Sequence, residues 1–330
     1  MRSAGFRTRL LASLVTVASM LNLSSASIAQ TYPSRGVKLV VPLAPGGPAD
    51  TTARMFASAL AEGLGQSVVV DNRTGASGVV GTEVVVKSPP DGYTLLFGSS
   101  SVFAVNPAVM TNLRFDVRKD LKLIGLVSQA SFVIVAPAAK GPKTFAELVK
   151  LAKAQPGGVS YASSGTGGII HLTGELFKLE AGLDLLHIPY RGGGPALVGV
   201  LSGDASIAIL DISTILTSVK SGKLTPLAIV STARSPMLPD VPTVIEMGYP
   251  NVETRSWYGL AAPAGTPADA IRKLEAVTTK IASSVAFHEG LAKVGLQPLL
   301  MTPAETAAFI ENDLSKWARV AKAANVKAEE

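Results

Sequence analysis

The chain has 330 residues, 47% hydrophobic and 16% charged, with a formal net charge of +6 and no cysteine. Without three arginines near its start (Arg2, Arg7 and Arg9) the charge is +3, and the other basic residues are spread out among few aromatics, which argues against nucleic-acid binding. The length allows two ordinary domains, and the lack of cysteine excludes thiol chemistry and disulfides while deciding nothing about compartment.

Residues 1–29 have a basic start, an apolar stretch from Leu10 to Leu23, and small residues ending at Ser27-Ile28-Ala29. This is the pattern of a secretory signal cleaved after Ala29. Ser13, Thr16, Ser19 and Asn22 interrupt the apolar run, which falls short of the ~20 residues a bilayer span needs. The mature protein is expected to be exported and soluble.

The stretch Lys38 to Met55 reads strand, tight turn, helix: an aliphatic run breaks at Ala44-Pro45-Gly46-Gly47-Pro48 and resumes with helix formers, with Asp50 in the first turn. Unpaired N–H groups and the positive end of the helix dipole suit an anion there, although a plain strand-to-helix connection fits as well. A helix to about Leu64, a strand at Gln66 to Val70, a loop through Asp71 to Gly78, and a helix pairing Glu83 with Lys87 come next. Tyr93 to Phe97 is a strand that stops at Gly98-Ser99-Ser100-Ser101.

Leu121 to Val135 is apolar and β-branched, ending at Pro137. Thr144 and Glu147 have capping-box spacing. Val159 to Ser163 is a strand running into Ser164-Gly165-Thr166-Gly167-Gly168 and a helix from Ile169 to about Glu180. Leu185 to Tyr190 ends in Arg191-Gly192-Gly193-Gly194-Pro195, and Ser206 to Leu210 ends at Asp211. Several glycine-rich turns at carboxyl ends of strands, divided between two halves of the chain, suggest two α/β lobes with parallel sheets facing each other across a cleft. A last strand, Ser256 to Pro263, precedes two helices opened by Thr266-Pro267-Ala268-Asp269 and Thr302-Pro303-Ala304-Glu305, expected to return to the first lobe.

Signatures of catalysis are missing. His171, His187 and His288 match no metal spacing, and no G-x-S-x-G elbow, phosphate-binding P-loop or complete dinucleotide fingerprint occurs. No cofactor, metal or enzymatic activity is expected. For His171, a structural role and ligand contact both fit.

Tyr32-Pro33-Ser34-Arg35, Val41-Pro42-Leu43-Ala44-Pro45-Gly46-Gly47-Pro48-Ala49-Asp50, Val70-Asp71-Asn72-Arg73, Pro90-Asp91-Gly92-Tyr93-Thr94-Leu95-Leu96, Asn106-Pro107 and Tyr161-Ala162-Ser163 occur in order, followed by His171-Leu172-Thr173-Gly174-Glu175-Leu176-Phe177, Ile188-Pro189-Tyr190-Arg191-Gly192 and Leu238-Pro239-Asp240-Val241-Pro242-Thr243. As an ordered set this resembles the Bug family, the TctC-type extracytoplasmic solute receptors of tripartite tricarboxylate transporters. The resemblance implies an α/β, two-lobed periplasmic binding protein fold, type II-like, each lobe a mainly parallel sheet flanked by helices. Lobe 1 is placed at 30–128 and 254–330, lobe 2 at 129–253. The implied function is periplasmic capture of a small carboxylated solute and its delivery, by a monomer, to membrane permease subunits. A ligand-sensing subunit for a membrane histidine kinase is the alternative.

Carried over residue by residue, the resemblance implies ligand contacts from Ala44, Pro45, Gly46, Gly47 and Asp50, and from Ser99, Ser100 and Ser101, in the first lobe. In the second it implies Ser163, Ser164, Gly165, Thr166 and His171, with Tyr190, Arg191, Gly192 and Asp211 completing the far wall. Asp50 either caps its helix, orients a bridging water or accepts from a ligand hydroxyl or amine; Arg191 either pairs with a distal carboxylate or is solvated. Phe103 either stacks on an aromatic ligand or belongs to the core. The chain departs from the family pattern at Arg73-Thr74-Gly75-Ala76-Ser77-Gly78, where Arg-Pro-Gly-Ala-Gly-Gly is usual, and at Ile212-Ser213-Thr214, where Asn-Leu-Pro is common. Aliphatic di- or tricarboxylates, amino acids and aromatic acids all fit such a site.

Overall fold

The computed structural model describes residues 32–328, so the signal assigned to 1–29 lies outside the described residues. Strand β1 (Val37–Val41) is buried except at Lys38, as an aliphatic run paired on both sides should be. The chain then turns into helix α1 (Pro48–Leu64), with Gly47 as N-cap and Pro48 in the first turn, which ends on Gly65 at φ 67°. Its Ala53, Phe56, Ala57, Leu60 and Leu64 are buried at helical spacing, with the Phe56 ring 5.7 Å from that of Phe97. Burying Phe56 or Leu60 contributes about 1.5–3 kcal/mol each. Strand β2 (Val68–Asn72), helix α2 (Val79–Val86) and strand β3 (Thr94–Ser99) follow, and β1 pairs in parallel with β2 and β3, setting Leu39 opposite Val70 and Leu95. Lys87 and Glu83 form the expected ion pair.

After a π-helical turn (Ser101–Val105) and the short helix α3 (Asn106–Val109), strand β4 (Leu121–Pro137) runs for 17 residues and belongs to two sheets. Leu121 to Ser131 pairs antiparallel with strand β9 (Arg255–Pro263), whose other edge holds β3. From Phe132 onward β4 pairs with β7 (Ile207–Asp211) and β8 (Leu224–Val230). The second sheet is completed by β5 (Val159–Ser163), parallel to both β7 and β6 (Leu185–Pro189). The helices between these strands are α4 (Phe145–Ala154), α5 (Ile169–Ala181), α6 (Gly193–Ser202) and α7 (Ile212–Lys220). Parallel pairing holds among β1, β2 and β3 and among β5, β6 and β7, whereas β4, β8 and β9 run antiparallel to their neighbours. The cause is directional: β4 leaves the first lobe beside β9, which returns to it.

Three helices, rather than the two expected, close the chain: α8 (Ala268–Ala282), α9 (Val285–Lys293) and, after the two-residue strand β10 (Gln297–Pro298), α10 (Pro303–Ala323). The Thr302 capping box is present in full, with Glu305 reaching back to the Thr302 N–H at 2.8 Å. Thr266 caps nothing; its hydroxyl donates to the Pro263 carbonyl and Pro267 holds the N-cap position. Helix α10 touches both lobes. The buried Trp257 of β9 donates its indole N–H to Asp313 at 2.8 Å, and Arg319 lies 3.4 Å from Glu180 of α5. Among the described residues no helix is long and apolar enough to cross a membrane.

Candidate functional site

The carboxyl ends of β1, β6 and β7 open onto one cleft of about 690 Å³. On one side lie Ala44, Pro45, Gly46, Gly47, Pro48 and Thr51; on the other lie Arg191 to Pro195, Asp211, Ser213 and Thr214. Each of these turns starts a helix, with Gly47 the N-cap of α1, Gly192 of α6 and Asp211 of α7. Three helix N-termini thus border the same space, and their unpaired N–H groups and positive dipole ends give it an electropositive lining. Gly46 and Gly192 sit at φ 80° and 115°, where a side chain would strain the backbone.

Asp50 is 4% exposed and faces the turn that precedes its helix. Its carboxylate accepts from the Gly46 N–H at 2.9 Å, Arg54 Nε at 3.0 Å and Asn72 Nδ2 at 2.9 Å. Asn72 Nδ2 also donates to the Leu43 carbonyl, so both ends of the turn are tied to one network. Burial pushes the Asp50 carboxyl up, but the bonds from Arg54, Gly46 and Asn72 outweigh it and hold the group below its ordinary value. Asp50 does not cap its helix, since Gly47 holds the N-cap position with no side-chain cap bond; its carboxylate instead ties the turn to Arg54 and Asn72.

Arg191 is exposed on the opposite wall and makes no hydrogen bond or ion pair among the described residues. Asp211 ends β7 with one carboxylate oxygen, Oδ1, buried and without a partner. Burial pushes this carboxyl up to about 7. Ser99 and Ser100, at the end of β3 beside the end of β1, are buried with neither hydroxyl partnered, while Ser101 begins the π-helical turn. None of Ser99, Ser100 and Ser101 is in the lining of the cleft, nor is Asp50, which acts on it through the turn.

Of the expected second-lobe residues, Ser163, Ser164, Gly165, Thr166, His171 and Tyr190 are not in the lining of this cleft. Ser163 is fully buried, 2.7 Å from His187 Nε2, and accepts the Gly165 N–H at 3.2 Å. The His171 ring stacks on His187 with centroids 3.8 Å apart, and its Nδ1 accepts the Gly167 N–H. Burial pushes both imidazoles down, His187 to about 3, so they are neutral and hold the loop. Ser164 and Gly165 are half-buried and Thr166 is exposed in that loop. The Tyr190 ring packs on Gly199 of α6, where any Cβ would collide with it. Phe103 is core: its ring stacks on Trp257 at 5.6 Å and 10°.

Sequence reasoning missed Pro48, Thr51, Gly193 to Pro195, Ser213, Thr214, Val294 and Leu296 in the lining. Ser213 and Thr214 stand at the departure from Asn-Leu-Pro, which was a usable signal. Val294 and Leu296 follow α9, a helix not anticipated. Among the described residues no group of three or more His, Asp or Glu could hold a metal ion.

The profile described as "Tripartite tricarboxylate transporter family receptor" matches residues 52–326. The chain belongs to this receptor family. The protein BugT of Bordetella pertussis is 37% identical over 321 residues, 97% of this chain and 98% of its own. The solved structure of R. palustris Rpa4515 with adipate superposes at a TM-score of 0.82 with 31% identity, covering 90% of this receptor and 99% of that chain. MatC (Rpa3494) from Rhodopseudomonas palustris with bound malate gives 0.76 and 28%, covering 88% and 99%. The receptor is thus a Bug/TctC-like solute-binding protein of mixed α/β fold.

Proposed function

We propose that this receptor captures a small organic carboxylate in the cleft between the Ala44–Pro48 turn and the Arg191–Pro195 turn, in the periplasm, and delivers it to the permease subunits of a tripartite tricarboxylate transporter. The observation that carries the reading is the convergence of three helix N-termini and the unpaired Arg191 guanidinium on one cleft. Adipate and malate bound to relatives of similar fold support a dicarboxylate of that size. One carboxylate meets the Ala44–Gly47 turn and the start of α1; the distal group meets Arg191. Lobe 1 (30–128 and 254–330) and lobe 2 (129–253) close because the solute touches both, and no bond in it is broken.

Thermal unfolding against adipate, malate and their diamides tests this. A ligand at 100 times its dissociation constant stabilises by about 2.7 kcal/mol. A shift with one acid but not with its amide is the expected result. Equal shifts with acid and amide, or recovery of a chemically altered ligand, would overturn the proposal.

A further inference from the structure

The cleft offers few polar side chains between its two ends. The Ala44–Pro48 turn contributes backbone and apolar surface, and the Arg191–Pro195 turn a guanidinium, glycines and a proline. Hydroxyls enter the lining only through Thr51 on the first wall and through Ser213 and Thr214 at the start of α7 on the second. None of these hydroxyls has a partner among the described residues, and unlike those of Ser99 and Ser100 they are not sealed from solvent.

Elsewhere the chain satisfies such groups within its own helices. Thr52, Thr82 and Thr173 donate to the carbonyl four residues back, each at 2.8 Å, while Thr144, Ser284 and Thr302 cap the helices they precede. Neither route is open to Ser213 and Thr214. Asp211 holds the N-cap position of α7, and the residues four back, Ile209 and Leu210, lie before the helix in β7. The two hydroxyls are left to whatever fills the cleft, water or solute.

Their positions are fixed by packing. Thr214 Oγ1 lies 3.5 Å from where a Cβ on Gly193 would stand, so it is set beside the turn that carries Arg191. A Cβ on Gly295, at φ 77°, would lie 3.1 Å from Ile212 Cγ2 and 3.5 Å from Ser213 Cα, so the Val294 to Leu296 segment seats against the start of α7. Asp211, in the same lining, receives no hydrogen bond from any other described residue. This part of the wall therefore presents two hydroxyls beside a carboxyl that lacks a donor. A chain of methylenes would displace water from them and return no hydrogen bond. An ammonium would donate to Asp211 but would stand among three positive helix ends and Arg191. A hydroxyl donates, accepts and carries no charge.

We propose that the solute is a dicarboxylate hydroxylated on the chain between its carboxylates, and that Ser213 and Thr214 select it over the unsubstituted chain. This rests on the carboxylate reading of the cleft and adds where its selectivity lies. The chain hydroxyls bond to Ser213 and Thr214, and one of them donates to Asp211.

Calorimetric titration of the purified protein with matched acids tests this. Adipate is compared with its tetrahydroxy counterpart glucarate, and succinate with malate and aspartate, which place hydrogen, hydroxyl and ammonium at one carbon. At the chain length that binds, the hydroxylated acid should bind about tenfold more tightly than the plain one, as one or two recovered hydrogen bonds imply, and aspartate no more tightly than succinate. In Ser213→Ala with Thr214→Val this ratio should fall toward one. Should the pair fail to fold, the single variants decide, each by a partial fall. A ratio near one in the parent protein, a ratio unchanged in the folded variants, or tighter binding of aspartate than of malate would overturn the inference and leave the carboxylate reading standing. Binding of none of these acids would overturn both.

Discussion

The Asp50 carboxylate accepts the backbone N–H of Gly46 at 2.9 Å, four residues upstream. A negative group placed beside an anion cleft would ordinarily repel the ligand. Here its charge is spent on Gly46, Arg54 and Asn72, and the turn it fixes is the one that carries the cleft wall. Asp50→Ala is expected to cost about 1–3 kcal/mol of stability, because buried donors lose their acceptor, and to weaken carboxylate binding. The folded-state pKa lies below the ordinary 3.8, so this contribution is complete above pH 3.8 and is lost as pH falls through the lower folded value. Urea unfolding across that acid range should show a loss in the parent protein that Asp50→Ala lacks.

Gly47 has φ −79°, a value any residue adopts, and a Cβ there would meet nothing closer than the Ala44 carbonyl at 3.6 Å. Gly47→Trp should therefore fold normally and project its ring into the cleft. A loss of ~100-fold or more in carboxylate affinity, about 2.7 kcal/mol, is expected by calorimetry with an unchanged unfolding midpoint in the ligand-free protein. Unchanged affinity would remove the first turn from the site.

Arg191 is exposed and unpaired, so Arg191→Met should leave the unfolding midpoint nearly unchanged. Its effect should fall on dicarboxylates, with a loss of about 1.5–3 kcal/mol for one charged hydrogen-bond partner. Monocarboxylates of equal length should lose much less, and an equal loss for both would place Arg191 away from the distal group.

Asp211 titrates in the opposite sense to Asp50. Its folded pKa is raised to about 7 from 3.8, so the folded state binds more protons between those values and stability declines as pH rises through that window. Asp211→Asn should flatten this decline. Ionisation also adds a negative charge to the cleft, so dicarboxylate affinity should drop as pH rises past about 7 in the parent protein and stay level in Asp211→Asn. Calorimetric titrations at pH 6 and pH 8 would check this, with ~ one pH unit on either side of the folded value.

Much of the frame was legible because local rules and tertiary packing agree there. Val159 to Ser163 is a strand with the bounds read from its apolar run, and the Thr302 capping box starts its helix as spaced. The antiparallel course of β4 and β9 was not legible, since strand direction depends on which distant segment lies alongside. The turns at Ala44–Gly47, Arg191–Gly192 and Asp211 could be found as strand ends rich in glycine or followed by a helix, and they do meet at one cleft. What the pattern does not encode is side-chain direction. His171 and Ser163 belong to the same kind of turn, yet they point to each other's neighbours beneath it, because the His171–His187 stack satisfies them there.

Strand β4 has a mechanical consequence. No linker separates its two halves: Ser131 pairs with Arg255 in one sheet, and the next residue, Phe132, pairs with Asp211 in the other. Any widening of the cleft therefore has to twist a continuous ribbon whose hydrogen bonds are held on both sides. The closure proposed above would turn about this point, with Asp211 on the strand beside it.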